Sequence, residues 1–311
     1  MKKHIVIATR SSKLALWQAE WVKTQIQLNF PKVTVELSLI KTKGDKILDT
    51  PLAKIGGKGL FVKELETAML KNEADIAVHS LKDVPVELPE GLSISVYTKR
   101  ETPNDAFVSN HYSDFSELPK GAVIGTSSLR RMAQLKKIRP DIEFKSLRGN
   151  VITRLSKLDN GDYDAIILAA AGLIRLELKD RITRLLDVDI SLPAIGQGVV
   201  CIETRTNDEE VMALLAPLKD HETRITVQAE RALLCRLNGG CQVPLAGYAT
   251  LSENTIYLTG LIASLDGKQI IKKSIQGNSK DAHTLGTTLA EDLLKSGGRE
   301  ILESVGIEVA E

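Results

Sequence analysis

Two short stretches of this chain repeat one another, and the repeat restricts the fold more than any other feature. Ala8-Thr9-Arg10-Ser11-Ser12-Lys13-Leu14 follows the apolar residues 5–8, and Gly125-Thr126-Ser127-Ser128-Leu129-Arg130 closes the apolar residues 121–125. In each, a strand-like segment runs into a Thr/Ser/Arg turn, and serines suited to capping open a helix. In the first copy that helix carries Leu14, Trp17, Trp21, Val22 and Ile26 at helical spacing. The free backbone N–H groups and the dipole of such a helix start favour an anion. Two copies this far apart imply two α/β lobes, each with an anion site of its own.

The pattern around the repeat supports this reading. Strands are expected at residues 33–40, 76–78, 106–108, 142–147, 165–170 and 199–203, and helices at 61–70, 126–138 and 151–158. From about Lys219 the character changes. A helix over 222–237 precedes alternating strands at 245–250, 255–263 and 269–275, and a last helix covers about 280–296. Ser252-Glu253-Asn254 and Asp266-Gly267 supply the turns. The fold class is α/β, closed by a small α+β domain with an antiparallel sheet. The domains are expected at 1–99 with 196–218, at 100–195 and at 219–311. Crossings near 98–103 and 192–198 would make a hinge between the first two.

Bulk properties exclude several classes of function. The 311 residues carry a formal net charge of +1 and 4% aromatic residues, so neither strong electrostatic capture of nucleic acid nor a stacking platform for its bases is expected. The longest apolar run, residues 165–173, falls far short of the roughly 20 residues a membrane span needs. The N-terminus reaches Arg10 too soon for a signal peptide, which points to a cytoplasmic protein. Cys201, Cys235 and Cys241 have no C-x-x-C spacing, and the five histidines form no H-x-x-x-H pair, so no metal site is expected. Cys235, within a helix, and Cys201, on a strand, read as core residues.

Cations recur at strand ends and helix starts: Arg10, Arg130, Arg131, Arg148, Arg154 and Arg175, with the loop lysines Lys54, Lys58 and Lys82. Converging on one crevice, they suit a ligand with several carboxylates or phosphates, since the guanidinium fork grips an oxyanion with two hydrogen bonds. No G-x-x-x-x-G-K-[ST] loop occurs, so a polycarboxylate fits better than a nucleotide. The Lys- and Gly-rich residues 41–59 are either a lid or a plain surface loop. Ala77-Val78-His79-Ser80-Leu81-Lys82-Asp83-Val84-Pro85 delivers a lysine and a carboxylate at a strand's end, either as a solvated turn or facing a crevice. Cys241, after two glycines, is either an incidental cysteine or a nucleophile or attachment point.

Six motifs in register, Thr9-Arg10-Ser11-Ser12, Gly56-Gly57-Lys58-Gly59-Leu60-Phe61, residues 78–85, Gly125-Thr126-Ser127-Ser128-Leu129-Arg130-Arg131, Arg148-Gly149-Asn150 and Gly239-Gly240-Cys241-Gln242-Val243-Pro244, give the chain a further context. It resembles the hydroxymethylbilane synthase, or porphobilinogen deaminase, family over essentially its whole length. The resemblance implies a transferase of tetrapyrrole (porphyrin, heme) biosynthesis. Such an enzyme joins four porphobilinogen molecules head to tail with loss of ammonia and frees linear hydroxymethylbilane by adding water. It implies a dipyrromethane cofactor joined by a thioether to Cys241, held by Ser128, Arg130, Arg131, Lys82 and Asp83. Substrate carboxylates would meet Arg10, Ser12, Arg148, Arg154, Arg175, Lys54 and Lys58. Asp83, with Lys82 beside it, would be catalytic, stabilising positive charge on a ring nitrogen and assisting proton transfer. The first two domains would be periplasmic-binding-protein-like with a cleft between them, residues 54–58 a lid, and the protein a monomer. Lys13 stands where many relatives have proline, which leaves its effect on the first anion site open. Two other readings use the same residues. A non-enzymatic binding protein for a polycarboxylate has no need of Gly239-Gly240-Cys241, and a thiol-dependent transferase for another substrate has no need of so many arginines.

Overall fold

The computed structural model describes residues 2–46, 59–240 and 243–309. In chain order its elements begin with β1 (His4–Arg10), α1 (Lys13–Asn29), β2 (Thr34–Ile40), α2 (Lys43–Lys46), α3 (Lys63–Leu70), β3 (Ile76–Ser80) and β4 (Leu92–Tyr97). Then come β5 (Asp105–Val108), β6 (Val123–Gly125), α4 (Leu129–Ile138), β7 (Glu143–Lys145), α5 (Val151–Asp159), β8 (Ala165–Ala169), α6 (Ala170–Arg175) and β9 (Arg184–Leu185). The last are β10 (Val200–Arg205), α7 (Glu209–Leu215), α8 (His221–Arg236), β11 (Leu245–Ser252), β12 (Thr255–Ala263), β13 (Ile270–Asn278), α9 (Ala282–Leu293) and α10 (Arg299–Ser304). The described residues fall into two compact units, one drawn from Met1–Leu48, Gly57–Glu101 and Gly198–Arg224, the other from Thr102–Gln197 and Ile225–Glu311.

The first unit is built on a five-stranded sheet in the order β2-β1-β3-β10-β4. β1 runs parallel to β2 and β3, and β10 enters antiparallel between β3 and β4. Both faces of β1, β3 and β10 are covered, which is why these central strands read as apolar runs, whereas the edge strand β2 alternates. Ile5, Ile7, Ile76, Val78 and Ile202 pack with Ala19, Val22 and Ile26 of α1 and with Val211, Leu214 and Leu215 of α7. Ala8 and Ala77 face the other way, against Leu65 and Met69 of α3.

The second unit holds a sheet of the same plan, β7-β6-β8-β5-β9, with β6 parallel to β7 and β8 and with β5 antiparallel to β8 and β9. Phe107, Ile124 and Ile167 pack with Leu135 of α4 on one face. Val108, Ile166 and Leu168 pack with Leu155 and Leu158 of α5 and Leu173 of α6 on the other. The same unit contains the antiparallel sheet β11-β12-β13. Its core joins Ile256, Leu258 and Ile262 to Leu233 of α8 and to Leu289 and Leu293 of α9. Gly260 lets both helices come close, since a Cβ there would stand 3.0 Å from side chains of Leu233 and Leu293.

The α/β class, the paired plan of the two larger sheets and the small antiparallel sheet agree with the sequence reading. Four local points differ. The expected loop at residues 41–45 contains α2, and the rest of the expected lid, residues 47–58, lies outside the described residues. β4, α6, β9 and α7 join the expected elements, β4 reaching its sheet through β10 alone. The last helix divides, α9 ending at Leu293 and α10 starting at Arg299 after a turn that contains non-helical Ser296 and Gly297. Cys201 is buried as expected, but Cys235 is exposed, because α8 turns Ala229, Ala232 and Leu233 to the core and position 235 falls on the other side.

Candidate active site

In the first unit the carboxyl ends of β1 and β3, the start of α1 and the entry to α3 enclose a pocket of about 400 Å³ including its open mouth. Parallel strands present ligand sites at this edge. Arg10, Ser12, Leu14, Ala15, Gln18, Phe61, Val62, Val78, His79, Ser80 and Asp83 line it. Asp83 gets there by a local device. β3 ends at Ser80 and one 3-10 turn, Leu81–Asp83, follows, closed by Val84 N–H donating to Leu81 O at 3.0 Å. Leu81 and Val84 are buried and anchor the turn from either side, so Lys82 and Asp83 between them stay half-buried. Buried Gln18 on α1 donates to Ser80 Oγ at 2.9 Å and ties the strand end to the helix.

Ser12 is the N-cap of α1, its Oγ accepting from Ala15 N–H at 3.3 Å. Arg10 leans over the Phe61 ring, 4.2 Å from its centroid, and its guanidinium is paired with Asp45 through Nε and Nη2. One edge of the Phe61 ring lies against Gly44, where a Cβ would clash with it. Burial would raise the Asp45 carboxyl, but the hydrogen bonds and charge of Arg10, with Thr42, outweigh it and hold the group below its ordinary value.

Behind the pocket wall lies a buried acidic group. His79 Nε2 lies 3.1 Å from Glu203 Oε2 of β10, with both side chains out of solvent. Ala77 stands opposite Glu203 and His79 opposite Cys201, which puts all four on the α3 face of the sheet. Buried Glu66 of α3 belongs to the same layer: burial first, then the negative charge of Glu203, pushes its carboxyl up to about 7. The second oxygen of Glu203, Oε1, is buried with no hydrogen-bond partner among the described residues.

In the second unit the other copy of the repeat has the same construction. Ser128 caps α4, its Oγ accepting from Arg131 N–H at 3.4 Å. Arg130 and Arg131 turn inward. Arg130 donates to both oxygens of Asp105 and to Leu192 O, and Arg131 to Asp105 and to Ile167 O. Ser191 and Gln197 also donate to Asp105. Burial alone would raise the Asp105 carboxyl, but the two guanidinium groups hold it far below the usual range. Two cations against one carboxylate leave one positive charge unbalanced, so this donor set fits a carboxylate-bearing group. Arg148 follows β7, and Gly149, at φ +111, makes the turn that leads to the N-cap Asn150 of α5. Arg154, in the first turn of α5, donates from Nε to Gly149 O at 2.8 Å, and Arg175, buried, ends α6.

The structure therefore gathers Arg10, Ser12 and Asp83 in the first unit and Ser128, Arg130 and Arg131 at one helix start in the second. Lys54, Lys58 and Cys241 lie outside the described residues. Sequence reasoning does not find Asp45, Asp105, Glu203 or Phe61. Asp105 opens an apolar strand, and a lone carboxylate entering such a run is the one signal that could have marked it.

Residues 5–213 match the family model described as "Porphobilinogen deaminase, dipyromethane cofactor binding domain", and residues 224–295 the one described as "Porphobilinogen deaminase, C-terminal domain". The chain belongs to the porphobilinogen deaminase family. As a porphobilinogen deaminase it is a transferase of tetrapyrrole biosynthesis with a dipyrromethane cofactor. Its activity is that of hydroxymethylbilane synthase, the stepwise condensation of four porphobilinogen molecules with loss of ammonia and hydrolytic release of the product. Solved structures that resemble this deaminase include a putative methionine-binding lipoprotein from Bacillus subtilis (14% identity, 71% of this chain and 92% of that one, TM-score 0.44). A second is the VFT2 domain of BvgS from Bordetella pertussis in a double-mutant form (16%, 68% and 85%, TM-score 0.41). No helix among the deaminase's described residues is long and apolar enough to cross a membrane.

Proposed function

We propose that the pocket at the carboxyl ends of β1 and β3 is where this chain carries out its condensations, with Asp83 as the catalytic carboxylate. The observation behind this reading is that Arg10, Ser12 and Asp83 line one pocket. An anion-binding helix start and a guanidinium then meet the acetate and propionate groups of porphobilinogen, while the only carboxylate of that lining faces its ring. As ammonia leaves the aminomethyl carbon, positive charge spreads into the pyrrole. Asp83 stabilises that charge and accepts a proton, and Lys82 beside it belongs to the same turn.

The dipyrromethane, when bound, supplies the pyrrole carbon to which units are added. Its attachment to Cys241 is part of this proposal, as are its contacts with Ser128, Arg130, Arg131, Lys82 and Asp83. The unbalanced charge of the Arg130–Arg131–Asp105 cluster supports a carboxylate there. Arg148, Arg154 and Arg175, with Lys54 and Lys58, are read as further partners of the substrate's carboxylates. We also read the chain as a cytoplasmic monomer that binds no nucleic acid, divided into domains at 1–99 with 196–218, at 100–195 and at 219–311.

Intact mass spectrometry tests the site. After incubation with porphobilinogen, the protein is expected to carry the mass of two substrate units less the ammonia lost, and Cys241→Ser to stay at its sequence mass. An adduct that survives in Cys241→Ser would move the attachment elsewhere.

A further inference from the structure

Each condensation exchanges one carbon–nitrogen bond for one carbon–carbon bond. Ammonia departs from the aminomethyl carbon, and the ring carbon that replaces it gives up one proton. Ammonia and that proton together make ammonium, so no outside acid or base is consumed, but the proton has to be held between the two events. A single half-buried carboxylate is poorly suited to that, since once protonated it loses the charge that stabilises the ring cation.

The structure holds a second proton-bearing group in the same wall. His79, the penultimate residue of β3, lines the pocket with Asp83 and is 5% exposed. Its Nε2 lies 3.1 Å from Glu203 Oε2. Glu203 is wholly buried, and its other oxygen has no hydrogen-bond partner among the described residues. A carboxylate left half-satisfied in the core costs stability unless it stabilises a neighbouring cation. An imidazolium at His79 would be such a cation. Among the described residues, the charged groups around His79 are Glu203 on β10, Glu66 with Lys63 and Glu64 on α3, Lys82 and Asp83 in the following turn, and Arg10, paired with Asp45, across the pocket.

We propose that His79, held by Glu203, is a proton-relay residue of the reaction: after each condensation it takes from Asp83 the proton released at the ring carbon, and it gives that proton to the aminomethyl nitrogen of the next unit, which then leaves as ammonia. Glu203 orients the ring and stabilises the imidazolium formed in between. Glu66, pushed up to about 7 by burial and by the charge of Glu203, limits further negative charge in that layer below that pH. This rests on the reading of Asp83's pocket as the reaction site.

The test uses the primed holoenzyme of the wild type and of His79→Asn, Glu203→Gln and Glu66→Gln. For His79→Asn, kcat is expected to fall on the order of 100-fold with KM within threefold, and primer mass and melting temperature to stay near wild type. Glu203→Gln keeps the hydrogen bond and the packing, so it serves if His79→Asn does not fold; its kcat should fall about tenfold and its pH profile should shift. Glu66→Gln should stay within threefold near neutral pH. A folded His79→Asn or Glu203→Gln with wild-type kcat and pH profile overturns the relay. If instead Asp83→Asn remains active, the reaction site itself has been misassigned, whatever His79 does.

Discussion

Arg130 grips Asp105 with two prongs, Nη1 at 2.7 Å from Oδ2 and Nη2 at 3.0 Å from Oδ1, with both side chains buried. Arg131 shares the same carboxylate. Asp105 thus holds two adjacent residues of one helix start in a fixed geometry and is saturated in doing so.

Replacing Asp105 by asparagine keeps its shape and leaves two buried guanidinium groups without a counter-charge. Loss of about 3–5 kcal/mol is expected by urea denaturation, together with loss of the primer adduct by mass spectrometry. The carboxyl's folded value lies far below its unfolded one, so its contribution is present above about pH 4 and is lost as pH falls through the folded value. The gap between wild type and Asp105→Asn should therefore be constant from pH 5 to 8 and narrow below about pH 4. A gap that narrows at higher pH instead would remove the charge argument.

Glu66 has the opposite sign. With its folded value raised to about 7, the folded protein keeps a proton that the unfolded chain gives up from about pH 4.5 upward. Folding is penalised increasingly between those values and by a constant amount above them. Glu66→Gln should gain roughly 2–3 kcal/mol relative to wild type between pH 5 and pH 8 in urea unfolding. An unchanged difference at the two pH values would mean that Glu66 is ionised in the folded protein.

Asp83→Asn should leave the far-ultraviolet spectrum and melting temperature near wild type, because the turn is anchored by Leu81 and Val84 rather than by the carboxylate. Turnover of porphobilinogen should fall by 100-fold or more. Near-normal turnover in the purified variant would sink the assignment of Asp83.

Ser128→Ala removes the cap of α4 and should cost about 1 kcal/mol of stability in urea unfolding. If Ser128 also binds the primer's carboxylates, the variant should assemble its adduct more slowly than Ser128→Thr, which keeps the hydroxyl. Equal rates for the two would leave Ser128 with the cap alone.

Much of this was legible in the chain because it is local. The Thr-Arg-Ser-Ser and Thr-Ser-Ser-Leu-Arg-Arg stretches carry their own caps, and both become a strand, a turn and a capped helix. Asp83 was legible too, because an apolar strand end and Pro85 bracket the turn that bears it. The partners of those residues were not. Asp105 is 25 and 26 positions from its arginines, and Glu203 is 124 positions from His79, so no periodicity links them. The exposure of Cys235 is not legible for a related reason: a helix alone does not say which side its neighbours will cover.

The placing of β10 has a consequence for the order in which the protein can form during synthesis. β4 is attached to its sheet only through β10, and His79 of β3 finds its neighbour at Cys201. All residues of the second five-stranded sheet are made between those two positions. Until residues 200–205 leave the ribosome, β3 presents a bare edge and β4 has nothing to pair with. Closing so long a loop is slow, and an open strand edge is a place where chains stick to one another. The first part of the chain to be made is thus among the last to be completed.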